Sequence, residues 1–349
     1  MQNGGMTDQP LSTPQAGPPR DVHLAYGFAT DRGLRRELNE DSLIASEPVF
    51  AVADGMGGHA AGEVASGICV RTLGNSPILG RHLPEFSAAE LEELIDDADQ
   101  EIRRQAGGLA GTTLSGVVLV QEEGVPSWLF FNVGDSRTYR LSRDRFGQIS
   151  VDHSEVQELV DTGSISMEES RTHPRRHVVT RALGTGDDSE ADFWLMPVED
   201  GDRILVCSDG LSGEVSDDAI YDVLSSVADP QEACEELVEA TLRSGARDNV
   251  TLIVVDAHVD GAAGAGVPRG GMFAADVGHV VPTGGGGGAG TDGGAGSGTG
   301  TGTGTDTGTD TGTGTGTDTG TGTQPDDVVR ANGSHAVLRS DAAPGFPHQ

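Results

Sequence analysis

The sequence predicts an α+β domain in which helices cover a mainly antiparallel sheet, followed by a long segment with no fold of its own. Short apolar runs rich in β-branched residues follow one another with turn residues between them, as at 113–120, 128–133 and 138–141, the pattern of a meandering sheet. Helical stretches with one apolar face interrupt these runs. After Asp260 the composition collapses onto glycine, alanine, threonine and aspartate.

In chain order, residues 1–20 are polar, contain Pro and Gly and lack periodicity, so a disordered N-terminus is expected. From Val22 the chain is strand-like, and residues 42–45 and 49–53 make two short strands around the Glu47-Pro48 turn. Residues 62–73 read as a helix whose small residues allow close approach to a sheet, with Glu63 at its positive end. Residues 87–105 give the clearest amphipathic helix. Ser87 and Glu90 form a capping box, and Leu91, Leu94, Ile95, Ala98 and Ile102 share a face. Residues 156–160, 217–227 and 231–242 are helical in pattern, and 250–259 is a buried strand closing the domain. The domain is thus expected over 21–259 and a disordered tail over 260–349. The Gly-Thr repeat at 299–323 offers too little apolar surface to offset chain entropy and reads as a solvated tether. Val328, Val329, Val337 and Leu338 beyond it are a short docking motif or a passive tail.

The chain carries 22 basic residues, all arginine, against 55 acidic ones, a net charge of −33. Such a chain repels nucleic acid and anionic membrane, so its partners are neutral or basic surfaces, or phosphates reached through a metal. Cys69, Cys207 and Cys234 lie in apolar segments without metal-ligand spacing, which reads as buried free thiols in a reducing cytoplasm. No apolar run has the length of a membrane span, and the N-terminus lacks the basic and apolar regions of a signal peptide. A cytoplasmic monomer is expected.

The segment VFAVADGMGGHAAGEVAS (49–66) is an apolar run that stops at Asp54 and gives way to glycines. Asp54 is placed at a strand end, with Gly55, Gly57 and Gly58 free to turn the backbone and bring carbonyl oxygens near it. An Asp-Gly pair alone is an ordinary turn. RILVCSDG (203–210) nevertheless repeats the design at Asp209, and RDNVTLIVVD (247–256) sets Asp248 at the entrance of another strand. Three remote carboxylates at strand ends suit a hard, oxygen-ligated cation such as Mg²⁺ or Mn²⁺.

The ordered set RRELNEDS, ADGMGGHAAGE, GTTL, NVGDSR, RHVVTRALG, CSDGL and RDNVT, spread over 26–255, resembles the metal-dependent serine/threonine protein phosphatases, the protein phosphatase 2C family in its bacterial form. The resemblance implies two packed antiparallel β-sheets flanked by helices on both faces, a four-layer αββα sandwich. It implies hydrolysis of phosphoserine and phosphothreonine monoesters by a hydroxide bridging two Mn²⁺ or Mg²⁺ ions, without a phosphoenzyme. Phosphorylated proteins would be the substrates, among them a Ser/Thr kinase that the enzyme counteracts.

Carried over by motif, Asp54 would bridge both metals, the Gly55 carbonyl would complete the second site, and Asp209 and Asp248 would bind the first. Glu40 would act through coordinated water and Asp41 would orient that water shell, each with helix or turn capping beside Asn39 as its alternative. Arg36 matches the phosphate clamp, its planar fork fitting two phosphate oxygens. Asp135 is either a ligand of a weaker third metal site or a turn residue, with Ser136 and Arg137 supporting its loop. Many eukaryotic relatives place a histidine directly after the Asp-Gly pair, where this chain has Met56. His59 is then the candidate leaving-group acid, with a coordinated water as the alternative. Residues 161–186, with His173, Arg175, Arg176 and His177, resemble the flap beside the active site of bacterial relatives or form a solvated connector.

Overall fold

The computed structural model describes residues 21–260 except 58–60, 109, 144 and 187–188. The segments 1–20 and 261–349, and with them the expected disordered ends, lie outside the described residues, as does His59. Eleven strands are described: β1 (Val22–Asp31), β2 (Asp41–Ser46), β3 (Val49–Gly57), β4 (Ala110–Thr112), β5 (Leu114–Glu122), β6 (Val125–Val133), β7 (Arg137–Ser142), β8 (Arg145–Gln148), β9 (Asp192–Pro197), β10 (Arg203–Cys207) and β11 (Val250–Val259). Seven helices accompany them: α1 (Ala61–Gly74), α2 (Ala88–Ala106), α3 (Glu155–Asp161), α4 (Met167–Ser170), α5 (Asp209–Ser212), α6 (Asp217–Ser226) and α7 (Pro230–Ser244).

The strands form two antiparallel sheets, ordered β1-β11-β10-β7-β8 and β2-β3-β5-β6-β9, with β4 added to β3. Period-two alternation decides which side chain enters which layer. In β3, Val49, Ala51 and Ala53 pack with α1 and α2, while Phe50 and Val52 meet the other sheet. In β11, Val250, Leu252 and Val254 pack with α6 and α7, while Ile253 and Val255 face inward against Phe50, Val117 and Trp128. Helices, sheet, sheet, helices is therefore the order of layers. Among the described residues no helix is long and apolar enough to cross a membrane.

Local signals explain most boundaries. Ser87 caps α2 with the full capping box, and Leu91, Ile95, Ala98 and Ile102 are buried beneath it. Asp229 caps α7 through the N–H groups of Gln231 and Glu232, with Pro230 in the first turn where its missing N–H costs nothing.

Two expectations need correction. Asp54 does not end its strand: β3 runs on to Gly57, because after Val52↔Ser115 its partner changes from β5 to β4, with Gly55↔Thr112 and Gly57↔Ala110. Asp209 lies past the end of β10 and opens the short helix α5. Neither switch leaves a mark in hydrophobic periodicity.

Candidate metal centre

The gap between the sheets grades from apolar to charged along its length. Behind Phe50, Val52, Ile253 and Val255 comes a layer of buried hydroxyls that bond across the gap: Ser115 to Thr138 at 2.9 Å, and Thr113 to Ser136 at 2.7 Å. Beyond the hydroxyls stand the carboxylates. Asp41 and Asp54 are register partners on β2 and β3, so both project from the same face. Asp41 is tied to the opposite sheet, its Oδ2 accepting from Ser208 Oγ at 2.9 Å. Asp209 follows β10, Asp248 precedes β11, and Asp135 lies in the β6–β7 connection. One mouth of the sandwich thus collects acidic groups from both sheets.

Each carboxylate is held by groups that fix its backbone. The Asp54 N–H donates to Thr113 Oγ1 (3.0 Å), and its carbonyl accepts from the Thr113 N–H (2.9 Å) and Thr112 Oγ1 (2.9 Å). This is what the GTTL string does. A Cβ on Gly55 would lie 2.2 Å from the Gly62 carbonyl oxygen and 2.5 Å from that of Glu40, so only glycine lets the start of α1 approach β3 so closely. The Gly62 N–H in turn bonds the Glu40 carboxylate. Buried Asn249 organises the loop before β2: its Oδ1 accepts the Glu40 N–H at 2.9 Å, and its Nδ2 donates to the Arg32 and Leu38 carbonyls. Arg36 in that loop bonds Asp248 Oδ2 at 2.6 Å and stands 3.9 Å from Glu40.

The Asp135 loop is equally fixed. The Gly134 N–H donates to His153 Nδ1 (3.1 Å), which leaves Nε2 as the proton-bearing nitrogen facing Asp192 Oδ2 (3.2 Å). Arg137 forks onto both oxygens of Asp152, so Ser136 and Arg137 support the loop.

Burial leaves Asp54, Asp135, Asp41 and Glu40 reluctant to ionise, and neighbouring carboxylates add to it. Burial pushes the Asp54 carboxyl well up, and the charges of Asp41, Asp209, Asp135 and Asp248 push it further. Asp135 is driven up by burial and by Asp209, and Asp41 is raised to about 7, chiefly by burial. Glu40 is raised by burial against the pull of Arg36. Asp41 Oδ1 is buried with no hydrogen-bond partner. An orphaned oxygen among crowded carboxylates is the donor set of a site for hard cations with water in their coordination shell, and the residues present fit such ions. Among the described residues only Asp21, His23 and Asp260, elsewhere on the surface, have three ligand atoms all within 4.8 Å of one another. The gap-mouth carboxylates among the described residues do not supply three ligand atoms that close together.

The structure thus brings Arg36, Glu40, Asp41, Asp54, Asp135, Asp209 and Asp248 to one place. Sequence reasoning missed the supporting set of Thr112, Thr113, Ser208, Asn249 and Gly62. Ser208, Asn249 and Gly62 each adjoin an acidic residue and Thr112 and Thr113 lie in the GTTL string, but hydroxyls, amides and glycines beside turns have many ordinary uses. Within residues 161–186, His177 Nδ1 lies 3.8 Å from Asp209 Oδ2. The segment is anchored by bridges from Val179 to Ser154 and from Leu183 to Thr112.

Comparison with known proteins agrees with this geometry. The family model described as Protein phosphatase 2C matches residues 35–247. The serine/threonine protein phosphatase PstP of Mycobacterium tuberculosis is 38% identical over 246 residues, 67% of this chain and 45% of that protein. The chain thus spans less than half the length of that relative. The serine/threonine phosphatase stp of Listeria innocua is 35% identical over 66% of this chain and 95% of its own. A crystal structure of the PstP catalytic domain in complex with two manganese ions superposes with a TM-score of 0.60 at 36% identity, covering 68% of this chain and 99% of that one.

Proposed function

The chain belongs to the protein phosphatase 2C family, and from that premise we propose that it is a metal-dependent phosphoprotein phosphatase that hydrolyses phosphoserine and phosphothreonine. The observation that carries the reading is the convergence of Asp54, Asp209, Asp248, Asp41 and Asp135 from both sheets on one mouth of the gap, where a bound cation would offset the burial and mutual repulsion that raise Asp41, Asp54 and Asp135. Asp54 would hold both ions, the Gly55 carbonyl the second, and Asp209 and Asp248 the first, with Glu40 and Asp41 acting through water and Asp135 with Asp209 at a third site. Two Mn²⁺ or Mg²⁺ ions, when bound, supply charge neutralisation and water activation near neutral pH.

The chain's own groups do the rest. Arg36 stands at the exposed rim, and its fork can exchange the Asp248 carboxylate for phosphate oxygens, orienting the ester. Asn249 and Gly62 keep the loop bearing Arg36 and Glu40 in register with that substrate. No cysteine competes as nucleophile. All three are buried, and burial raises the thiols of Cys69 and Cys207 to about 12, which supports direct transfer to water without a phosphoenzyme. The leaving-group proton would come from His59 or from coordinated water.

Buried free thiols suit a reducing cytoplasm, where the substrates would be phosphorylated proteins, including a Ser/Thr kinase whose action the enzyme reverses. Phosphate release from a phosphothreonine peptide should require Mn²⁺ or Mg²⁺ and fall by about 10³-fold in Asp54→Asn and Asp209→Asn, a loss typical of removing charge stabilisation of the transition state. Wild-type turnover in either variant would refute the proposal.

A further inference from the structure

Away from the gap mouth, the outer face of the β1–β11 pair carries a second set of ligand groups. The strands run antiparallel with His23 directly opposite His258 and Val22 opposite Val259. Both valines are buried, so the alternation turns Asp21, His23, His258 and Asp260 outward together. The Asp260 N–H donates to the Asp21 carbonyl at 2.9 Å, which continues the pairing to these last residues. One ligand atom from each of Asp21, His23 and Asp260 lies within 4.8 Å of the others, and His23 Nε2 is 3.3 Å from Asp260 Oδ2. Directly opposite His23 in the register, His258 sits with its Nδ1 4.0 Å from Asp200 Oδ1, on the same face of the strand pair as the cluster. Asp21 is steadied from outside, its Oδ1 facing His82 Nε2 at 2.9 Å while His82 Nδ1 faces Glu47 at 2.8 Å. Hydrogen-bonded carboxylates of this kind are what support ligands around bound metals.

We propose that Asp21, His23 and Asp260, with His258 as fourth donor, form a binding site for a borderline divalent cation of the zinc class, distinct from the all-oxygen centre at the gap mouth. The donor chemistry makes the distinction. Imidazole with carboxylate suits Zn²⁺, Cu²⁺ and Ni²⁺, whereas carboxylate, carbonyl and water suit Mg²⁺ and Mn²⁺. Two paired strands fix the spacing of the donors before any ion arrives. The consequence is structural, because β1 begins and β11 ends here: residues 1–20 precede the site in the chain and 261–349 follow it. An ion held by Asp21 and Asp260 ties together the two points at which the chain enters and leaves the domain.

The test uses the full chain in excess Mg²⁺, so that the oxygen-ligand centre is occupied, and titrates Zn²⁺ by calorimetry. One Zn²⁺ equivalent is expected whose affinity falls about tenfold or more in His23→Ala and in Asp260→Asn, and is unchanged in Asp54→Asn. All the substituted surface groups are exposed, so the fold and the phosphatase activity in Mg²⁺ should be untouched by them. Hydrogen exchange in peptides covering 21–23 and 258–260 should slow on adding Zn²⁺ to the wild type but not to His23→Ala. Zn²⁺ binding with the same affinity in wild type and His23→Ala, or no Zn²⁺ binding beyond what Asp54→Asn abolishes, would overturn the assignment.

Discussion

The crowding of acids at the gap mouth makes a definite demand on the metal-free protein. In the unfolded chain Asp41 titrates near its ordinary 3.8, whereas in the folded protein burial holds it up to about 7. A carboxyl raised on folding is protonated in the native state over a range where the unfolded state has already lost its proton. Its contribution to stability is therefore present at low pH and is lost as pH rises toward the folded value. Between pH 5 and 6 ordinary carboxylates have finished titrating and histidines have barely begun. There a carboxyl raised as Asp41 is should lower stability as pH rises, by on the order of 1 kcal/mol per pH unit. Asp54 and Asp135 are raised for the same reasons and steepen the slope. Oppositely shifted groups such as Glu101 and Glu214, lowered by their arginine partners, act below this window.

Urea denaturation of chelator-treated protein at pH 5.0, 5.5 and 6.0 measures the slope. Asp41→Asn mimics the neutral acid and should flatten the dependence, by on the order of 1 kcal/mol per pH unit. Added Mn²⁺ should stabilise the protein more at pH 7.5 than at pH 5, because ligation requires the carboxylates to have lost their protons. Stability that is flat or rising from pH 5 to 6 without metal, or the same slope in Asp41→Asn as in wild type, would refute the reasoning.

Three further outcomes follow from single contacts. Gly55→Ala places a Cβ against two backbone carbonyls, so urea denaturation should show a loss of about 1–3 kcal/mol, with Mn²⁺-dependent turnover falling alongside. Arg140→Met breaks a buried pair whose Asp202 partner also accepts from Trp128 Nε1 and the Glu199 N–H; the expected cost in the same assay is about 3–5 kcal/mol. Native protein at pH 8 should resist maleimide at all three cysteines, and mass spectrometry should find all three labelled once urea is added.

How much of this was legible in the chain depends on whether a feature is local. The α2 capping box is local, and the structure shows it residue for residue. The runs around Phe50, Ile204 and Ile253 are local too, because burial on both faces leaves an uninterrupted apolar string. The pairing of β1 with β11 is not, since strand register between remote segments is decided by packing that no short window contains. The three-residue strand β4 fell below any pattern, and with it went the continuation of β3 past Asp54. The acidic positions could be picked out because a carboxylate ending an apolar run is conspicuous. Thr113, Ser208 and Asn249 could not, since a hydroxyl or amide beside a turn has many ordinary uses.

That asymmetry has a physical origin in how the sandwich changes character along its gap. Alternation on β3 assigns Phe50, Val52 and Asp54 to the same inward side, so the rule that builds the core also delivers the acid. A carboxylate following Val52 directly into an apolar gap would face an uncompensated desolvation cost. The hydroxyls of Ser115, Thr138, Thr113 and Ser136 stand between the two regimes, each satisfied by its partner across the gap. They let one pair of sheets be dry at its centre and charged at its mouth. The same bonds hold the sheets at the separation on which Asp41 and Asp54 on one side, and Asp209 and Asp248 on the other, depend if they are to share cations.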